Sequence, residues 1–370
     1  AVMKRRRVFV VGILVGAILI VSVVGYVSQP EFPVVLQRLR AQDVSVTAKN
    51  LFNRLLQKTP TNVEAWMQPR TAWGDPDFQG VWRYEATIPL ERPSEHEGRA
   101  FLTDEEVEDI ARVERELSAN RLAGFEGTAV GRRTLSESPI RGNEYNSFWQ
   151  YHGRARQAYR QTSLIIDPSN GRLPYTEDAR QAADRSAARY GIGPYESYLD
   201  PDTGERCLTD GVTATMWQGP NGGHNHIVQS PGYVTIVHEE YQDRRIIPVD
   251  GGSHRGIPQW LGDSVGHWEE ETLVVETTSF SNKMHYEWAN IWTRVSDTLH
   301  LVERFERLGP NTMEYTITVN DPKTFTMPWT AVIPILRLPD NTQIYEYACH
   351  EGNYALSNIL SAGRSIAADE

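Results

Sequence analysis

From Val8 to Val27 the chain reads VFVVGILVGAILIVSVVGYV, twenty positions without a charge. A helix rising 1.5 Å per residue covers the roughly 30 Å hydrocarbon layer of a bilayer with a run of that length. The pattern therefore predicts one spanning helix. Lys4, Arg5, Arg6 and Arg7 precede it and place residues 1–7 in the cytoplasm by the positive-inside rule, with the main domain on the far side. The run is longer than a usual signal core and no A-x-A site follows it, so it is expected to stay as an uncleaved signal anchor with Ala1 as the mature terminus. Gly12 and Gly16 form a small-xxx-small pair at which a partner helix could approach closely, with incidental glycine use as the alternative.

Residues 28–70 read as an amphipathic connector. Pro30 and Pro33 break the spanning helix. Val35, Leu36 and Leu39, then Leu51, Phe52, Leu55 and Leu56, recur at helical spacing among Arg38, Arg40, Lys49, Arg54 and Lys58. Such a segment suits a membrane surface, a partner, or its own domain.

The pattern changes at about Trp73, and residues 71–360 read as one β-rich domain. Phe78–Tyr84 (FQGVWRY) is a first strand. Leu102–Leu117 is a helix opened by a capping box of Thr103 and Glu106. Ser163–Tyr175 (SLIIDPSNGRLPY) carries a hairpin signal, and Glu177–Arg189 a short Ala-rich helix. From His226 to Tyr354 strand runs follow one another: IVQ, YVTIVHEEY, RRIIPVD, TLVVETTSF, LHLVERFERL, TMEYTITV, WTAVIPILRL and QIYEYACH. Leu299, Leu301, Glu303 and Phe305 share one face, and His300, Val302 and Arg304 the other. Short strands with turn signals and no helices between them predict an antiparallel meander. Closure protects strand edges, so the expected fold is mainly β: an up-and-down, calycin-like barrel with a few short helices, or failing that a sandwich. Residues 361–370 read as a polar tail.

The formal net charge is −11, of which Lys4–Arg7 contribute +4, leaving −15 for the remainder. That balance repels phosphate backbones and argues against nucleic-acid partners. The two cysteines, Cys207 and Cys349, both follow the spanning segment. In an oxidising compartment a disulfide between them is the expectation, with two buried thiols as the alternative.

Candidate chemistry is thin. In a strand, His224 and His226 would face one side as an H-x-H metal pair, with a third ligand from His238, Glu239, His254 or His267. Histidines satisfying buried carbonyls are the competing reading. Ser264 lies beside Asp263 and His267, but sequence neighbours do not make a triad, and Gly-Asp-Ser there reads as a turn. No G-x-S-x-G elbow, Walker loop or dinucleotide fingerprint is present. Glu269, Glu270, Glu271, Glu276, Glu303 and Glu306 are abundant carboxylates, several of them expected on solvated strand faces.

PDFQGVW (Pro76–Trp82), PLERP (Pro89–Pro93), ERCLT (Glu205–Thr209), QWLGDSVGHWE (Gln259–Glu269), TLVVETTSF (Thr272–Phe280) and YEYACHEGNY (Tyr345–Tyr354) resemble a group of exported bacterial β-rich proteins of unassigned function, over most of residues 74–360. With its anchor, the chain more narrowly resembles a membrane-extrinsic periplasmic subunit, of the subunit S type, in bacterial photosynthetic reaction-centre–light-harvesting complexes. That resemblance implies a non-catalytic structural subunit of the inner photosynthetic membrane, bracing reaction-centre and antenna polypeptides. It implies no cofactor of the chain's own, with pigments or lipids held at contacts with partners. A periplasmic metal-dependent hydrolase and an apolar-ligand-binding barrel are the alternatives.

Overall fold

Alternating apolar and polar positions build a ten-stranded sheet from the described residues of the computed structural model: 66–84, 88–126, 159–189, 195, 197–212, 216, 223–249, 251–283 and 296–369. All lie in the unit Ala65–Glu370. The span Val8–Val27, its Gly12 and Gly16, and residues 28–65 of the connector fall outside them. Among the described residues no helix is long and apolar enough to cross a membrane.

The strands are β1 (Gly80–Tyr84), β2 (Ile165–Asp167), β3 (Asn225–Ser230), β4 (Tyr233–His238), β5 (Arg244–Pro248), β6 (Asp263–Glu269), β7 (Thr272–Thr278), β8 (His300–Gly309), β9 (Thr312–Asn320) and β10 (Trp329–Arg337). Their order is β5-β4-β3-β1-β10-β9-β8-β7-β6, every ladder antiparallel, with β2 paired to β10. The two ends meet where Val249 bridges Gly266 in parallel, making a nearly closed barrel. Around that ring the strands follow chain order. Nine strands that alternate in direction must leave one parallel neighbouring pair, and here it is β5 beside β6. Gly266 permits the approach: a Cβ there would lie 3.0 Å from Cγ2 of Ile247.

The inward positions follow the period of two. Trp82, Ile247, Leu301, Phe305, Met313, Tyr315, Trp329 and Ile333 fill the interior, each almost wholly buried. Among them sits one charged pair. Arg245 on β5 donates from Nη1 to Glu303 Oε1 on β8 at 2.9 Å and from Nη2 to Ser264 on β6 and Thr277 on β7, both at 3.1 Å; Nη2 also reaches Glu303 Oε2. Tyr315 on β9 donates to Glu303 Oε1 at 2.9 Å. Burial alone would pull the guanidinium's proton affinity down, but the facing carboxylate outweighs it and holds it above its usual value. This network crosses the β5–β6 gap, where the backbone ladder is weakest. Glu303 thus points into the core rather than to solvent.

Among the described residues there are three α-helices. α1 (Asp104–Glu126) opens on the expected box: Glu106 N donates to Thr103 Oγ1 at 3.2 Å and Thr103 N to Glu106 Oε2 at 2.7 Å. It runs past Leu117 because the following residues are mostly good helix formers. α2 (Glu177–Arg189) has the expected bounds. α3 (Ala355–Asp369) takes up most of the expected polar tail.

Three local expectations differ. The turn at Pro168–Gly171 forms, but its arms do not pair: β2 joins β10, while Leu173 N donates to Glu91 and Thr176 N to Thr324. Asp263 and Ser264 begin β6 instead of turning, because Thr277 and Thr278 of β7 pair with them. QIYEYACH is not a strand: no sheet edge is paired to it, and Tyr345 N donates to the side chain of Glu239.

Candidate functional site at the β4–β5 turn

The β3–β4 ladder ends at the pair Asn225 and His238. The chain then carries three acids, Glu239, Glu240 and Asp243, through a tight turn closed by His238 N donating to Asp243 O at 2.8 Å. Tyr241 and Gln242 hold φ of 54° and 50°, a left-handed conformation uncommon outside glycine. Such backbone persists only where surrounding contacts over-determine it. Those contacts come from two distant segments, residues 202–212 and 345–349.

From the first segment, the Thr209 hydroxyl donates to Asp243, and Asp210 and Glu240 hydrogen-bond carboxyl to carboxyl. Gly204 is required at this point. A Cβ there would meet Asp210 Oδ1 and the Tyr241 hydroxyl, each at 2.9 Å, and Asp202 Oδ1 at 3.2 Å. From the second segment, Tyr345 N donates to Glu239 Oε1 at 3.1 Å, and the Tyr347 ring lies 5.0 Å from that of Tyr241. Cys207 and Cys349 are joined by a disulfide with Cα atoms 5.5 Å apart, so the two segments are tied to each other as well as to the turn.

The histidines are also internal. His224 Nδ1 lies 2.7 Å from Glu239 Oε2, both side chains buried. His238 Nδ1 lies 3.2 Å from Asn225 Oδ1, which assigns the imidazole proton to Nδ1. Its Nε2 faces Glu240 Oε2 at 3.8 Å, and neither atom has a hydrogen-bond partner among the described residues.

Burial sorts the protonation states. It pushes Asp210 well up, with the charges of Glu240 and Asp202 adding to the effect. It pushes Glu240 up as well, only partly offset by the hydrogen bond to Asp210. It pulls His238 down to about 4 despite the nearby carboxylates of Asp243 and Glu239. For Glu239 burial acts upward too, but the bond to His224 outweighs it and the net shift is down. Asp243 rises through burial, offset in part by Thr209. At neutral pH the cluster therefore holds neutral His238, ionised Glu239 and a proton shared between Asp210 and Glu240.

His224 joins this cluster but His226 does not. His226 sits in β3 opposite Val237, one position along from the inward Asn225 and Ile227. His254 lies 3.8 Å from Glu276, and His267 pairs outward with Glu269, so neither approaches His224. Among the described residues no group of three or more His, Cys, Asp or Glu side chains is arranged to hold a metal ion. Ser264 gives its hydroxyl to the Arg245 network while Asp263 pairs with Arg255, which separates the three residues that looked like a triad. Asp210, Glu240 and Asp243 escaped the sequence reading. The run HEEYQD after a strand was the available signal, since acids rarely follow one another into a buried turn. Nothing in the sequence pairs Asp210 with it.

Compared with known proteins, the chain matches no family model, no curated protein and no solved structure.

Proposed function

We propose that this chain is a non-catalytic structural subunit, anchored by Val8–Val27 and bracing an inner-membrane assembly from the extracytoplasmic side. One observation carries the reading: among the described residues, buried side chains fill the barrel interior while Val228, Tyr233 and Ile246 stand exposed on the outer face of β3–β4–β5. The interior is filled by aromatic side chains and the Arg245 network. On the outer face of β3–β4–β5, Val228, Thr235 and Ile246 lie side by side in register. Val228, Ile246 and the nearby Tyr233 are 41%, 65% and 50% exposed, the kind of surface that a partner covers. The partners implied by the resemblance are reaction-centre and antenna polypeptides.

Gentle solubilisation of the native membrane followed by gel filtration tests this. The wild-type chain is expected to elute with a large complex. The double substitution Tyr233→Glu and Ile246→Glu should release it as a monomer with unchanged thermal unfolding. Elution of the wild-type chain as a free monomer at native abundance would sink the proposal.

A further inference from the structure

The cluster at the β4–β5 turn has no part in a scaffolding role, and its arrangement is specific. Two carboxyl groups in hydrogen-bond contact must have a proton between them, because two carboxylates repel. Asp210 comes from the segment 202–212 and Glu240 from the turn, so that proton joins two parts of the molecule. The other groups facing it supply little compensation. Asp202 stands on the same segment as Asp210, and Glu239, Tyr241 and Asp243 on the turn. Tyr347 faces Tyr241 from the C-terminal segment. On the basic side, His224 is engaged by Glu239, and Arg244 at the start of β5 acts on Asp243.

His238 makes the dependence sharper. With its Nδ1 proton directed at Asn225 Oδ1, its Nε2 presents a lone pair to Glu240 Oε2. Two acceptor atoms thus face each other 3.8 Å apart in a buried site, both unpartnered among the described residues. A neutral imidazole in that orientation cannot neutralise Glu240. The proton on the Asp210–Glu240 pair is what remains.

We propose that the Asp210–Glu240 pair is a buried proton-binding site that clasps the disulfide-linked segments 202–212 and 345–349 onto the β4–β5 turn. The clasp holds while the proton is bound and loosens when it is lost. The disulfide keeps the two segments together as they loosen, so they move as one flap. This inference does not rest on the scaffolding reading, and either can fail without the other.

The direction with pH follows from linkage. In the open state the two acids face water and titrate near their ordinary values of 3.8 and 4.5; in the closed state burial and their mutual contact raise both, so the pair keeps a shared proton well above that range. The closed state therefore binds more protons over that interval. Its advantage is complete below about pH 4, falls as pH rises, and levels off once the closed pair has also lost the shared proton.

Amide hydrogen exchange on the full chain, corrected for intrinsic rates, tests this at peptides covering 202–212 and 343–350. Opening is expected to rise steadily between about pH 5 and about pH 9, by up to about tenfold per pH unit for the one coupled proton. Asp210→Asn keeps a donor to Glu240 that does not titrate, so its profile should be much flatter. A flat wild-type profile, or a variant with the wild-type slope, overturns the proposal. If the variant does not fold, infrared spectra of the wild-type chain decide. A protonated carboxyl band at neutral pH that disappears by about pH 10 supports the site, and its absence at neutral pH overturns it.

Discussion

The barrel interior and the β4–β5 turn both bury carboxyl groups, yet they solve the problem in opposite ways. Inside the barrel, Arg245, Tyr315 and Thr277 surround the carboxyl of Glu303 with donors. At the turn, Asp210 and Glu240 have no cation in contact among the described residues, and a shared proton lowers the negative charge they bury. The cation of the first arrangement is a guanidinium, which keeps its proton throughout the ordinary pH range. The second depends on pH by construction. A counter-charge on a neighbouring strand fixes a barrel, whereas a shared proton makes a contact that can be undone.

The largest expected effect comes from breaking the ion pair on one side. Glu303→Leu leaves Arg245 buried without its counter-charge and should cost about 3–5 kcal/mol. The double substitution Arg245→Met with Glu303→Leu should recover most of that loss. Urea denaturation at fixed pH measures both. If the single variant were as stable as the wild type, the network would not be what closes the β5–β6 gap.

Next is the tie behind the clasp. The disulfide closes a sequence separation of 142 residues. Replacing Cys207 and Cys349 with serine should lower stability by about 2–4 kcal/mol. It should also let the two segments exchange independently, a pattern that native-state exchange resolves. Joint opening in the disulfide-free protein would show that the turn alone couples them.

The smallest effect is expected at ion pairs on the helix surface. Arg112 on α1 bridges Asp109 and Glu116, with all three side chains more than half exposed. Water screens such pairs and ordering their long side chains offsets the gain. Arg112→Ala should leave the melting temperature unchanged within error. A clear drop would mean that exposed charges matter here as much as buried ones.

The difference between the regions also explains what could be read in advance. Glu303 falls on the same alternating face as Leu301 and Phe305, so its inward direction was present in the pattern. Its partner Arg245, more than fifty residues earlier on β5, was not, because pairing across a barrel is set by how strands close. Glu239 and His224 drew notice as possible ligands, but their use in each other's support depends on the ladder ending at Asn225 and His238. Asp210 lies in a segment without periodicity, and no local signal could bring it to Glu240.

By itself, the sequence determined the β-rich character, the bounds of α2, the capping box of α1 and the chain-order succession of strands around the ring. These follow from propensity, period and hairpin-length connections, which act over a few residues. Tertiary structure alone decided that β5 closes beside β6, that QIYEYACH packs outside any strand ladder, and that buried acids are compensated by a guanidinium in one place and a proton in another. The physical reason is common to all three. Each depends on which distant group fills the space beside a buried polar atom, and that is settled only when the whole sheet has closed.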